Sequence, residues 1–193
     1  MSRSIPNPRA VYFNKIYHVF GPVGINEKYA DLCDCVIISK EGKQIPTFKL
    51  ILVIQSKFFE AFFRQEPEKK NVQLHFEDLY LRKIFHSPFI THVDDVDVTE
   101  LLKMLEIADY LQMDELSEVI QMALCKKMKL DNFAEISNVA LNFDILPNFK
   151  NSLKKFVRQN LLRLDLTKLP KELLKMILNV EPDQCPHLKN EQD

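Results

Sequence analysis

The sequence predicts an α+β fold in which a small sheet flanked by helices is followed by an all-helical segment. A short apolar strand at Cys35–Ser39, a turn around Gly42 and a second strand at Gln44–Pro46 lead directly into helices. From Leu101 onward, apolar residues recur mainly at helical spacing. The chain has only three Gly and no Trp. That composition argues against propellers and sandwiches, whose many tight hairpins need Gly at their turns.

The first half of the chain carries the predicted sheet. Residues 1–10 are predicted to be a flexible tail, and the apolar residues of 11–20 partly follow helical spacing. The charged stretch around Pro67 predicts a loop, and the alternation of Val72–Phe76 predicts a half-buried strand. The helices predicted in this half are Leu50–Ile54, Ser56–Arg64 and Leu79–Ser87.

The second half is predicted to be helical throughout. Its clearest helix can be capped by Asp97 or Thr99, and it places a continuous apolar stripe on one face. That stripe consists of Leu101, Met104, Leu105, Ala108 and Leu111. The further predicted helices are Leu116–Lys127, Leu130–Ala140, Leu146–Asn160 and one opened by Leu169-Pro170.

Composition and charge favour a folded protein that binds other proteins. The 193 residues are 46% apolar, and 26 basic against 27 acidic side chains leave a net charge of -1. Such a balance creates no overall field for nucleic acid or an anionic membrane. No signal-peptide core or membrane-spanning apolar run is found. Four scattered Cys indicate a reducing compartment, so the cytoplasm is expected, with the nucleus as the alternative.

Two segments of the sequence, from Asp34 to Phe59 and from Ile107 to Met113, carry motifs of one interaction fold, and they resemble the BTB/POZ domain. Asp34 stands at the strand Asp of that family, and Lys49 stands at the Lys of its Pro-x-His-Lys turn, with Phe48 replacing the His. Its Ala-Asp-x-Leu-Gln signature is similar to Ile107–Met113. The family's Ser-x-Tyr-Phe motif corresponds to Ser56, Phe58 and Phe59.

The resemblance implies a domain organisation. Residues 11–127 would form the BTB/POZ domain, and 128–180 resemble the start of the BACK domain that follows it in Kelch-like proteins. A polar tail at 181–193 would follow. One departure is Phe89-Ile90-Thr91, which stands where BTB domains have a Tyr-Thr-Gly turn.

The resemblance also implies a homodimer. In BTB domains the segment before the first strand packs across the two-fold axis, although capping of the chain's own core is an equal alternative for each residue here. Asp34 and Lys49 are expected to approach each other near that interface, where paired charges cost less than a lone buried one. The candidate dimer-interface residues are Ile16, Val19, Phe20, Leu32, Asp34 and Lys49.

The Kelch-like resemblance further implies a substrate adaptor for a cullin-3 ubiquitin ligase. Many such adaptors carry an apolar-x-Glu triplet in the loop after the aromatic helix. Here the counterpart is Glu66-Pro67-Glu68, whose first residue is acidic, so weaker cullin binding is expected. The candidate cullin-binding residues are Phe58, Phe62, Glu66, Glu68, Tyr110 and Met113.

Other functions remain as alternatives. A regulator that heterodimerises with full-length BTB proteins is favoured by the lack of a propeller in this sequence, whereas the BACK-like helices favour the adaptor. A BTB transcription regulator is the third alternative, and it lacks support because no zinc-finger Cys/His pairs or basic stripe follow the domain in this sequence. Cys33-x-Cys35 has no second Cys or His pair to complete a zinc site. No catalytic or phosphate-binding motif is found, so neither an enzyme nor a cofactor is expected.

Overall fold

A computed structural model describes residues 32–86, 93–143 and 146–178, which fall into two compact units, Met1–Ile120 and Gln121–Asp193. The first unit contains strands and helices in the order β1 Cys35–Ile38, β2 Gln44–Thr47, α1 Lys49–Gln55, α2 Lys57–Gln65, β3 Asn71–Gln73, α3 Asp78–His86 and α4 Val98–Tyr110. Helix α5, Asp114–Lys127, begins in the first unit and ends in the second. The second unit continues with α6 Phe133–Ala140, α7 Pro147–Asn160 and α8 Lys171–Leu178.

The sheet has the strand order β2-β1-β3. Strands β1 and β2 form an antiparallel hairpin, whose turn uses Gly42 at a φ of 76°. Strand β3 pairs with β1 in parallel, as the intervening helical crossover allows. The predicted strand at Val72–Phe76 was wrong at its end, because β3 stops at Gln73 and residues 75 and 76 form a bend.

The core of the first unit is built from buried side chains of the strands and of helices α1 to α4. Phe59 is fully buried and packs against the rings of Phe63 and Phe85, at centroid distances of 6.1 and 6.0 Å. The five stripe residues predicted on α4 are all buried, so the assignment of that face is confirmed. Asp97 caps the helix, since its Oδ1 accepts a hydrogen bond from Glu100 N at 2.9 Å.

The second unit has a core of its own. The ring of Phe133 stacks on that of Phe156 at 4.7 Å, and the α7 residues Phe149, Leu153 and Val157 are buried. Leu173 of α8 is also buried. The helices lie where the apolar periodicity predicts them, with starts later by one to three residues at α6 and α7.

A polar network joins the β1–β2 hairpin to α3. Arg82 Nε donates one hydrogen bond that is shared between the two oxygens of the buried Asp78 carboxylate, at 2.9 and 3.0 Å. The same carboxylate lies 3.4 Å from Lys43 Nζ. Arg82 also donates to the carbonyl of Gln44 at 3.1 Å. Burial alone would raise the pKa of Asp78, but the hydrogen bonds and charges of Arg82 and Lys43 lower it below its usual 3.8.

Asp78→Asn is expected to lower the free energy of unfolding at pH 7 by about 1 to 3 kcal/mol, because charge-assisted hydrogen bonds are lost. Since the pKa is depressed in the folded state, this contribution is complete above the unfolded-state pKa and disappears as pH falls through the folded value. Urea unfolding of both proteins between pH 7 and pH 3 measures the difference. The exposed Asp109→Asn serves as control. A difference independent of pH would contradict the role of the carboxylate.

Candidate interaction surfaces

The start of α2 is tied to the turn that follows α4. Ser56 Oγ accepts a hydrogen bond from Phe59 N at 3.2 Å and donates one to the carbonyl of Leu111 at 2.5 Å. Lys57 N donates to the carbonyl of Gln112 at 3.4 Å, and Gln112 holds a φ of 52° in the left-handed region. The Lys57 ammonium also pairs with Asp114. The two sequence motifs, far apart along the chain, therefore meet at one buried joint.

Four partly exposed aromatic side chains lie beside this joint, and we call them the aromatic ridge: Phe58, Phe62, Phe76 and Tyr110. The ring of Phe58 lies 6.2 Å from that of Phe62 and 5.4 Å from that of Tyr110. The ring of Phe76 lies 5.2 Å from that of Tyr110. Tyr110 is exposed and the other three are half-buried. Adjacent exposed aromatic rings are typical of anchors in protein interfaces.

Phe76 is a ridge residue that the sequence did not predict. Its alternation with Val72 and Leu74 suggested a third inward-facing side chain, and those two are indeed buried. The strand ends before Phe76, so the bend directs its ring to Tyr110. The early end of the strand, which alternation alone does not reveal, therefore places Phe76 at the surface.

The loop after α2 presents an acidic turn. Glu66, Pro67 and Glu68 are exposed, and the Glu66 carboxylate pairs with Lys69 at 3.1 Å. The ammonium of Lys49 donates to the carbonyl of Pro67 at 2.5 Å and lies 5.2 Å from the centroid of the Phe63 ring. Lys49 therefore fixes the loop in place beside the helix.

The Asp34–Lys49 approach has a different form from the charged pair that the sequence suggested. Asp34 Oδ1 accepts a hydrogen bond from the backbone N of Lys49 at 2.8 Å, while the Lys49 ammonium is directed to Pro67. The N-cap residue of α1, Phe48, makes no side-chain cap hydrogen bond. Asp34 thus takes over the capping of α1, which satisfies one amide of its first turn.

Met113 is not available as a contact residue in this structure. Its side chain is only 5% exposed, and its backbone N donates to the carbonyl of Ala108 at 2.8 Å as the chain turns out of α4. Its neighbourhood in the sequence suggested surface exposure. The turn at Gln112 instead directs Met113 into the core.

Helix α1 carries a second exposed apolar area, which we call the α1 surface: Leu50 and Ile54. Leu50 is 68% exposed and Ile54 is 58% exposed, whereas Leu52 of the same helix is fully buried. Leu32, also exposed, lies two residues before Asp34, which bonds to the start of α1. Clustered exposed apolar side chains indicate a binding surface.

The sequence analysis proposed Leu32 for an interface but missed Leu50 and Ile54. The signal was present, because the five consecutive apolar residues 50–54 exceed what one buried helix face can use. Ile16, Val19 and Phe20, the other predicted interface residues, lie outside the described residues.

The described cysteines show no sign of a reactive or metal-binding role. Burial, with the nearby Asp34 carboxylate, raises the pKa of the Cys35 thiol to about 11, so it stays protonated at neutral pH. Within the described residues, no three His, Cys, Asp or Glu side chains form a group that could hold a metal ion. No helix in that part of the chain is long and apolar enough to cross a membrane.

Comparison with known proteins agrees with this arrangement. The BTB/POZ domain family profile matches residues 25–128, more than half of the chain. The chain belongs to the BTB/POZ family. BTB domains mediate dimerisation and protein interaction, and they form a family of interaction modules that are not typically enzymes.

The curated relatives are Kelch-like proteins. Kelch-like protein 40 of Xenopus laevis is 30% identical over 166 residues, covering 78% of this chain and 26% of the relative. Kelch-like protein 9 of Mus musculus is 24% identical over 157 residues, which cover 77% of this chain and 25% of the relative. The chain thus spans about a quarter of the length of these relatives. The BTB match supports a protein-interaction role.

Solved BTB domains are also similar in structure. The BTB domain of zebrafish PATZ1 matches with a TM-score of 0.48 at 19% identity, covering 66% of this chain and 100% of that domain. The BTB domain of human gigaxonin matches with a TM-score of 0.45 at 14% identity, and the match covers 66% of this chain and 98% of that domain.

Proposed function

We propose that this BTB protein forms a homodimer and acts as a substrate adaptor that binds a cullin-3 scaffold. The aromatic ridge carries the cullin part of the proposal, and the α1 surface supports the dimer. Each is an exposed apolar area on the BTB unit, and each is held by well-defined local contacts.

Dimerisation is supported by the cost of leaving the α1 surface in water. Burying an exposed Leu or Ile side chain contributes about 1.5 to 3 kcal/mol. Leu50 and Ile54 lie one helical turn apart, so one partner surface can cover both. Because a symmetric dimer buries each such area twice, the gain is doubled.

Leu50→Glu combined with Ile54→Glu is expected to convert the dimer into a monomer at micromolar concentration, because four carboxylates would meet at an apolar interface. Sedimentation equilibrium of the full chain measures the mass. Met122→Glu, which places one charge at an exposed apolar residue of α5, is the control and should remain a dimer. A native chain that sediments as a stable monomer would contradict the proposal.

The aromatic ridge supports cullin binding. Its rings combine a large apolar area with few rotatable bonds, which is favourable for an interface anchor. The ridge includes α2 residues and Tyr110, and the acidic loop with Glu66 and Glu68 follows α2 directly. The same region was expected to dock the scaffold from the resemblance to Kelch-like adaptors. The acidic Glu66 in place of an apolar residue is expected to weaken the contact.

We expect measurable binding to the N-terminal region of cullin-3, weaker than that of a full Kelch-like adaptor. Phe62→Ala with Glu68→Ala should weaken it further while the dimer stays intact, because both side chains lie at the surface of the BTB unit. The loss is expected to be about tenfold or more, as for removal of an aromatic anchor. Isothermal titration calorimetry with the purified dimer measures the affinity.

Leu162→Ala with Glu172→Ala is the matched control for this titration. It also removes one exposed apolar and one exposed acidic side chain, but from the second unit. Its cullin affinity should equal that of the native chain. If native protein at tens of micromolar gives neither heat nor a complex with cullin-3, the adaptor function is refuted.

A heterodimerising regulator is the alternative function. The exposed α1 surface favours it, because the same apolar residues can pair with another BTB protein. In that case the chain would associate with a full-length BTB adaptor yet give no heat with cullin-3. The titration therefore distinguishes the two functions.

A further inference from the structure

The second unit carries an exposed apolar area that its core does not use. Two 3₁₀ turns, Leu161–Arg163 and Leu166–Lys168, connect α7 to α8. Leu162 is 100% exposed, Leu161 46% and Leu166 40%. We call these three residues the leucine patch. Leu169, the next leucine along the chain, is by contrast buried.

Local hydrogen bonds hold the two turns in shape. Asn160 Nδ2 donates to the carbonyl of Phe156 at 2.9 Å, and Leu164 N donates to the carbonyl of Asn160 at 3.1 Å. Asp165 caps the second turn, because its Oδ1 accepts from Thr167 N at 3.1 Å and from Thr167 Oγ1 at 2.5 Å. The leucines are therefore presented by ordered turns, which reduces the entropy that a partner must overcome.

Basic side chains surround the leucine patch in the sequence. Arg158, Arg163, Lys168, Lys171 and Lys175 are all exposed. Residues 121–178 contain 11 Lys and Arg against 5 Asp and Glu, whereas residues 1–120 contain 14 against 18. Residues 121–178, which carry the patch, thus have a net charge of +6, and the whole unit Gln121–Asp193, with 12 Lys and Arg against 9 Asp and Glu, has a net charge of +3. Its partner should be acidic as well as apolar.

We propose that the leucine patch and its flanking Arg and Lys side chains dock an acidic amphipathic segment of a partner protein. Apolar side chains of that segment would cover Leu161, Leu162 and Leu166, and its carboxylates would pair with Arg158 and Arg163. Its residues belong to the second unit, whereas those of the aromatic ridge and the α1 surface belong to the first. It would hold a partner whether or not the chain binds cullin-3.

Nucleic acid and membranes fit this surface less well. Binding of single-stranded nucleic acid uses exposed aromatic rings for base stacking. Here the rings of Phe133 and Phe149 are buried, and Phe156 stacks on Phe133. A membrane-binding segment is typically a long amphipathic helix, whereas the leucines lie on two three-residue turns.

The test uses the full chain and a fluorescein-labelled helical peptide with Leu on one face and Glu on the other. Fluorescence anisotropy should show binding of this peptide. Matched peptides with Lys in place of Glu, or Ala in place of Leu, should bind at least about tenfold more weakly. Phosphatidylserine vesicles, which represent an anionic membrane, and a single-stranded RNA, which represents nucleic acid, are tested in parallel.

Two variants locate the binding to the patch. Leu161→Ser with Leu162→Ser, and separately Arg158→Glu with Arg163→Glu, should each weaken binding of the acidic peptide about tenfold or more. All four side chains are exposed, so the fold should persist. Met122→Ser changes an exposed apolar residue outside the patch and should bind like the native chain.

The proposal is overturned if the acidic peptide does not bind, or if either double variant binds it as well as the native chain. It is also overturned if vesicles or RNA bind through the same residues while the peptide does not. Cullin-3 titration of the Leu161→Ser, Leu162→Ser variant should match that of the native chain, so failure here and failure of the adaptor function are distinguishable.

Discussion

The hydrogen bonds of Ser56 are the interaction on which the BTB unit depends. Its hydroxyl joins the first turn of α2 to the carbonyl of Leu111, at the end of α4. A helix anchored at its first residue cannot rotate about its axis without breaking that joint. The rotation of α2 therefore decides that Phe59 and Phe63 face the core while Phe58 and Phe62 lie at the surface. Core and candidate interface follow from the same constraint.

Much of the fold could be predicted because periodicity reports local structure. The stripe from Leu101 to Leu111 predicted the buried face of α4, and the family motifs predicted the parts that meet at Ser56. The parallel pairing of β3 could not be predicted, since it depends on contacts distant in sequence. The burial of Met113 depends likewise on the left-handed turn at Gln112.

The candidate surfaces were harder to predict than the core. Charge and motif suggested that Lys49 would pair with Asp34, yet its long side chain reaches Pro67, and Asp34 caps α1 through a backbone amide. Exposure of Leu50 and Ile54 likewise results from how α1 packs. An interaction module needs such apolar residues outside its core, so residues that contribute little to stability can still carry function.

The central claim is that α2 divides its rings between core and surface, and urea unfolding of two variants tests it most directly. Phe59→Ala should lower the free energy of unfolding by about 3 to 5 kcal/mol, because a buried ring leaves a cavity. Phe62→Ala should cost only about 1 to 2 kcal/mol, because a half-buried ring has less apolar area to lose. Equal losses for the two variants, or a larger loss for Phe62→Ala, would contradict the account.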